Sequence, residues 1–404
     1  MQQVVIVGGG HAAAQLCASL IEGEFKGAIT LVCEEACLPY HRPPLSKTFI
    51  KDPAAQMQLL RAEAVYRDAG VELALGDAAV AIDRAARTVK LASGRELAYD
   101  VLVLATGTRA RRLPGLPDDL ENLVYLRSLE DAHRLRDALN AAATVTVLGG
   151  GFIGLEIAAT AGHLGKPVTV FEAAPRLLAR AVSPEASAHV ANVLREAGVD
   201  LRLGTTVDGF EVDGKRIRSV AVQGRDEPVD LVVAGIGAVP ETSLAEAAGL
   251  ECANGVVVDA LMRTSDPHIH AIGDCTSFPY ARWGKTLRLE SVQNANDQAR
   301  TLAGVLLGHA APYGALPWFW SDQGALRLQI AGLAPPDTER VVRQSDKPGS
   351  FSVLHFADGQ LVCVESINAP ADHIAARKLL EQGRNPPRDQ LIDPAIPLKA
   401  HLQG

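Results

Sequence analysis

The chain is poor in the residues that would mark several common kinds of protein. Only 4% of its 404 residues are aromatic. Its six cysteines (Cys17, Cys33, Cys37, Cys252, Cys275 and Cys363) include no C-x-x-C pair, which argues against a zinc site, a cluster site or a disulfide framework. No apolar run reaches the ~18–20 residues of a membrane span. Basic residues are outnumbered, 39 Lys and Arg against 47 Asp and Glu, for a net charge of −8. That balance argues against nucleic-acid or anionic-membrane partners. A buried strand begins by residue 4, so no signal peptide is expected and the chain reads as cytoplasmic. What is present is 48% hydrophobic residues, enough for substantial cores, and a length that suits two or three domains.

The first thirty-four residues organise the rest. Val4-Val5-Ile6-Val7 reads as a buried strand and runs into Gly8-Gly9-Gly10-His11-Ala12-Ala13, which fits G-x-G-x-x-G/A. A helix is predicted from Ala14 to about Glu22, and a second strand over 29–33 ends at Glu34. This is the order of a dinucleotide fingerprint: Gly8 for the tight turn, Gly10 for backbone approach to a pyrophosphate, Ala13 for helix–strand packing. Glu34, about two dozen residues past the glycines, suits ribose hydroxyls. Which nucleotide binds is not legible here.

The pattern then repeats. A strand over 144–148 leads into Gly149-Gly150-Gly151-Phe152-Ile153-Gly154, a full G-x-G-x-x-G, followed by a helix over 155–164 and a strand ending in Glu172. Two fingerprints in one chain predict two dinucleotide sites. A carboxylate at Glu172 accepts from the 2′-hydroxyl of NADH and repels the 2′-phosphate of NADPH, so NADH is expected.

Between and after the copies lie shorter signals. Prolines 43 and 44 prevent a helix until after Pro44 and make a stiff loop leading into one, with Arg42 and Lys47 placed to face a ligand. Strands are predicted over 77–83 and, ending on Ala105-Thr106-Gly107, over 100–104; Arg127 precedes a helix over 128–140. A strand over 230–234 ends on Gly235-Ile236-Gly237, and the strand at 268–272 delivers Gly273 and Asp274. Leu289-Glu290-Ser291-Val292-Gln293-Asn294-Ala295 begins a helix whose N-terminus carries partial positive charge. Pro317-Trp318-Phe319-Trp320-Ser321-Asp322-Gln323 is the aromatic peak, followed by period-two strands over 326–330 and 350–356, a partner at 360–365 and a closing helix near 371–382.

The ordered set G-x-G-x-x-A, R-P-P-L-S-K, A-T-G, G-G-G-F-I-G-L-E, G-I-G, A-I-G-D-C, E-S-V-Q-N-A and P-W-F-W-S-D-Q spans nearly the whole chain. It resembles the FAD-dependent, NADH-specific ferredoxin reductases of bacterial oxygenase systems. The resemblance implies an α/β fold: two Rossmann-like domains arranged as in glutathione-reductase-like flavoproteins, plus a C-terminal α+β domain. It implies an FAD domain over 1–112 and 242–316, an NADH domain over 113–241 and a β-rich domain over 317–404. FAD would meet Gly8, Gly10, Ala12, Ala13, Glu34, Arg42, Lys47, Val80, Ala105, Thr106, Gly107, Arg127, Gly273, Asp274, Ser291 and Val292. NADH would meet Gly149, Gly151, Phe152, Ile153, Gly154, Glu156, Glu172, Gly235, Ile236 and Gly237, with Trp320 near both rings. Lys47 and Glu156 are expected to pair beside the flavin–nicotinamide contact. The implied reaction passes a hydride from NADH to FAD and then single electrons to a [2Fe–2S] ferredoxin serving a haem monooxygenase or Rieske dioxygenase. Arg377, Lys378, Arg384 and Arg388 are candidate docking cations for such an acidic partner.

Three rivals share the scaffold. Disulfide, peroxide or oxygen reductases use a redox cysteine beside the flavin, which Pro43–Lys47 lacks. Single-cysteine relatives place Gly between their cysteine and Leu-Pro-Tyr, so their cysteine aligns with Ala36, and Cys37 reads as a loop thiol. A redox-sensing flavoprotein with an interaction role, and an NADH:rubredoxin reductase, are the others.

Overall fold

The computed structural model describes residues 2–402. The chain divides into two compact units, each assembled from three stretches. Unit 1 is Met1–His41, Met57–Arg109 and Val239–Ala315; unit 2 is Arg42–Gln56, Ala110–Ala238 and Leu316–Gly404.

Unit 1 is built on a five-stranded parallel sheet in the spatial order Ile269–Ala271, Val101–Leu104, Gln3–Val7, Ala28–Cys33, Glu72–Leu75. Its three inner strands are almost wholly buried, as expected when helices cover both faces. The helix His11–Glu22 packs on the helix Val292–Leu306. The hairpin strand Ala79–Asp83 carries an irregularity: Ala79 pairs with Leu91 and Ala81 with Lys90, which leaves Val80 out of the ladder.

Unit 2 repeats this plan. Its parallel sheet runs Asp200–Leu203, Val168–Glu172, Val145–Leu148, Leu231–Ala234, Leu123–Val124. In both sheets the fingerprint strand lies between the acid-tipped second strand and the strand that closes the fold. That is the switch point where open α/β sheets bind ligands. Unit 2 also holds a five-stranded antiparallel sheet, ordered Trp318–Gln323, Leu326–Gly332, Gln360–Ile367, Phe351–Ala357, Glu339–Gln344. Asp358 and Gly359 make its tight turn. The helix Pro370–Glu381 covers one face, with Ala375, Ala376 and Leu379 packed among Ala331, Leu354 and Val364.

Several boundaries differ from the sequence reading. The fingerprint helices begin at His11 and Phe152, three residues before Ala14 and Leu155, because the end of each glycine motif already forms the first helical turn. Residues 42–56, within the stretch assigned to the FAD domain, pack with unit 2. There Pro43–Ser46 is a 3-10 turn, Thr48–Lys51 is one short helical turn, and Phe49 packs against both His133 and Arg136. Leu45, Phe49 and Ile50 are each 4% exposed, so their burial anchors the segment.

The C-terminal segment is held by a buried arginine. Arg343 donates to the carbonyls of Leu391 at 2.9 Å, Asp393 at 2.5 Å and Ile396 at 2.7 Å. Removing it strands three carbonyls, one buried and two part-buried. Arg343→Met is therefore expected to weaken this clasp by about 2–4 kcal/mol. The check is hydrogen exchange and limited proteolysis: both should accelerate within 386–402 and stay unchanged in the fingerprint helices.

Among the described residues no helix is long and apolar enough to cross a membrane, and no group of His, Cys, Asp and Glu could hold a metal ion.

Candidate functional site

Each fingerprint folds into the same cradle. Gly8 donates to Val32 O and Gly149 to Phe171 O, both at 2.8 Å, which ties each first glycine to the second strand. Gly8 has φ +130° and Gly149 φ +102°, values L side chains rarely adopt. A Cβ on Gly8 would lie 2.2 Å from Ala105 O; on Gly149, 2.4 Å from Gly235 O. The A-T-G and G-I-G signals are therefore the strand ends against which the two glycine turns close. A Cβ on Gly10 would meet nothing within 4 Å, and one on Gly151 only Gly235 O at 3.8 Å. Both fingerprint helices start on a glycine with no side-chain cap, so their first N–H groups suit an outside acceptor such as a phosphate.

In unit 1 the structure gathers most of the expected FAD residues. A Cβ on Gly273 would lie 3.1 Å from that of Ala12 and 3.8 Å from that of Ala295, which brings Asp274 and the start of the Val292 helix to the first glycine turn. Gly273 N donates to Gln298 Oε1 at 2.7 Å, and Ser291 caps the Val292 helix through Asn294 N at 3.1 Å. Thr106 Oγ1 donates to Glu241 O at 2.7 Å. Glu34 is exposed just past the second strand, while Glu35 accepts from Tyr40 Oη at 2.7 Å. Val80 presents a 52% exposed side chain beside its unpaired stretch of strand.

Arg42, Lys47 and Arg127 lie in unit 2. Arg42 Nη1 donates to Arg127 O at 2.8 Å, and Arg127 N donates to Asp131, the residue that completes a capping box with Ser128. Glu172 accepts from Gly150 N at 2.5 Å and Ala174 N at 2.6 Å, so it is locked onto its own glycine turn.

The Lys47–Glu156 pair expected from the sequence is formed, with Nζ 2.6 Å from Oε2. The side chains are 19% and 5% exposed, so little water screens them. Sequence reasoning missed the hydroxyls around them. Ser46 Oγ donates to Glu156 Oε2 at 2.5 Å, and Ser321 Oγ to Oε1 at 2.7 Å. Trp318 and Trp320 stack with centroids 5.5 Å apart, and Arg377 lies 4.2 Å over the Trp318 ring.

Four of the six thiols, Cys17, Cys252, Cys275 and Cys363, do not resemble redox centres. Burial pushes Cys17 up to about 12, raises Cys275, and raises Cys363 well above the ordinary thiol value; Cys252 is also raised, chiefly by burial. A thiol held protonated is a poor nucleophile. Of the four docking cations, Arg388 is paired with Glu339, Arg384 donates to His401 O, and Arg377 pairs with Glu381; Lys378 is exposed on the same helix as Arg377.

Comparison with known proteins agrees with this geometry. Residues 2–299 match the pyridine nucleotide-disulphide oxidoreductases, and residues 318–402 match the reductase C-terminal domain. Rhodocoxin reductase of Rhodococcus erythropolis is 42% identical over 398 residues, covering 98% of this chain and 93% of that protein. The ferredoxin reductase for the CYP199A2 system of Rhodopseudomonas palustris superposes with a TM-score of 0.94 at 43% identity, covering 99% of each chain. The putidaredoxin reductase of a covalent complex with putidaredoxin superposes at 0.95 with 39% identity, covering 99% of this chain and 98% of that one. This chain belongs to the pyridine nucleotide-disulphide oxidoreductase family and, within it, to the ferredoxin reductases.

Proposed function

We propose that the chain is an FAD-containing reductase that oxidises NADH and passes single electrons to a [2Fe–2S] ferredoxin feeding an oxygenase. The observation that carries this reading is the pair of glycine cradles of the same construction, combined with a ferredoxin reductase whose structure matches 99% of the chain. The first cradle fits FAD: its glycines leave room for a pyrophosphate, its helix start is uncapped, and the late Gly273–Asp274 and Val292 segments return to it. Bound FAD supplies the chemistry, accepting a hydride and releasing the electrons singly.

The chain's own residues bind, orient and tune. Gly8, Gly10, Ala12 and Ala13 would hold the FAD pyrophosphate, Glu34 its ribose, Val80 its adenine through the backbone, and Asp274 its ribityl chain. Ala105, Thr106 and Gly107 would line the cradle. Arg42 and Arg127 would approach the diphosphate, and Val292 N–H, at a helix start capped by Ser291, would stabilise negative charge on the pyrimidine side of the ring. Gly149, Gly151, Phe152, Ile153, Gly154, Gly235, Ile236 and Gly237 would receive NADH, with Glu172 at the ribose. Lys47 and Glu156 would flank the nicotinamide, and Trp320 would border it. No proton-abstracting side chain is needed. Six cysteines outside any disulfide suit the reducing cytoplasm, where we place the protein.

The purified yellow protein should reduce a [2Fe–2S] ferredoxin with NADH far faster than with NADPH. Rubredoxin is the acceptor to run beside it; faster reduction of rubredoxin would overturn the assignment of the partner. Because docking of an acidic partner would rely on local cations such as Lys378 and Arg377, ferredoxin reduction should slow several-fold as ionic strength rises from ~0.01 to 0.3 M. Rates insensitive to salt would contradict that docking mode.

A further inference from the structure

Glu156 is a junction of three chain segments, all within unit 2. It lies on the helix Phe152–His163, one turn in from Phe152, where the helix starts after the second glycine turn. Lys47 reaches it from the 3-10 turn, and the same ammonium also donates to Pro43 O at 3.2 Å and Ser46 Oγ at 3.4 Å, so all three of its donors are engaged within this turn and with Glu156. Ser46 is doubly tethered: its hydroxyl donates to Glu156, and its carbonyl accepts from Thr160 Oγ1 at 2.9 Å, one helical turn along the same face. From the third segment, Ser321 donates to the other carboxylate oxygen. Ser46, Glu156, Thr160 and Ser321 are all no more than 4% exposed.

The aromatic strand makes this junction consequential. Side chains alternate along Trp318–Gln323, so Phe319 and Ser321 share one face and Trp318 and Trp320 the other. The first face meets the fingerprint helix, with Phe319 4.5 Å from Phe152 and Ser321 on Glu156. The Ser321 bond therefore sets where the strand sits on the helix, and with it the position of the Trp320 ring.

We propose that Ser46 and Ser321 are positioning residues for NADH oxidation. By gripping both oxygens of Glu156 they hold the Lys47 turn and the Trp320 strand in fixed register with the helix that follows the second glycine turn. This rests on the reading above that Lys47 and Glu156 flank the nicotinamide. The plainer alternative is that each serine only satisfies a buried carboxylate. The two differ in reach: a junction transmits the loss of one hydroxyl to the opposite segment, and simple satisfaction does not.

The test uses the FAD-loaded full chain with Ser46→Ala, Ser321→Ala, both together, and Ser321→Thr. Hydrogen exchange in 44–51 should rise at least about threefold in Ser321→Ala, and exchange in 318–323 should rise comparably in Ser46→Ala. Flavin bleaching by NADH should slow about 5–20-fold in each single variant, with the double variant slower by less than the product of the two. Ser321→Thr, which keeps the hydroxyl, should restore the rate to within about twofold. Exchange changes confined to the mutated segment, or Ser321→Thr behaving like Ser321→Ala, would overturn the proposal. Glu156→Gln checks the underlying reading separately: unchanged bleaching there removes Glu156 from the nicotinamide pocket, whatever the exchange data show for the serines.

Discussion

Glu156→Ala is expected to slow reduction of the bound flavin by NADH on the order of 10²-fold, measured by stopped-flow bleaching under anaerobic conditions. Three losses combine. The Lys47 ammonium loses the Glu156 carboxylate, and the hydroxyls of Ser46 and Ser321 lose their common acceptor. The 3-10 turn and the aromatic strand then no longer share a fixed point, and near-attack geometry tolerates little displacement. Stability should fall as well. Breaking a fully buried pair costs about 3–5 kcal/mol, and the 19% exposure of the Lys47 side chain brings the expectation down to about 2–3 kcal/mol. A variant that bleaches at the wild-type rate would show that this ion pair orders nothing the reaction needs.

The second large effect separates the two cradles. Gly8→Ala would drive a Cβ to 2.2 Å from Ala105 O at a φ of +130°, so the first turn must move and the protein should purify largely colourless. Gly149→Ala makes the equivalent clash, 2.4 Å from Gly235 O, in the second cradle only. It should keep its FAD and still bleach with dithionite, while its affinity for NADH falls at least about 10-fold. The flavin-to-protein absorbance ratio and an NADH titration read both outcomes. The reverse pattern, with Gly149→Ala colourless and Gly8→Ala yellow, would exchange the assignments of the two sites.

The features legible in the sequence were those with a local period or a fixed spacing. Both fingerprints, their second-strand acids and the strand ends at Gly107 and Gly237 occupy short stretches whose hydrophobic pattern gives direction and whose glycines give the turn. The Asp358–Gly359 hairpin was visible for the same reason. The Lys47–Glu156 pair was reached through resemblance, since nothing near either residue in the chain points to the other. The serines were not legible at all. Ser46 lies 110 residues from Glu156 and Ser321 lies 165 away, and serine is common enough that neither carries a signal. Arg343 is a similar case, because its acceptors are backbone carbonyls about fifty residues on, which have no sequence identity. The sheet Gly209–Asp213, Arg216–Val222, Arg225–Pro228 escaped because two of its strands are largely exposed and show no clean alternation. The aromatic strand escaped because Trp318-Phe319-Trp320 is apolar on both faces.

The central claim is that the flavin is the only redox centre, standing between a two-electron donor and a one-electron acceptor. Anaerobic reductive titration of the FAD-loaded protein tests it directly. With none of the six cysteines in a disulfide, and burial raising the pKa of Cys17, Cys252, Cys275 and Cys363, full reduction should consume two electrons per FAD, from either dithionite or one equivalent of NADH. Uptake of four electrons per FAD would reveal a working cysteine centre and contradict the account.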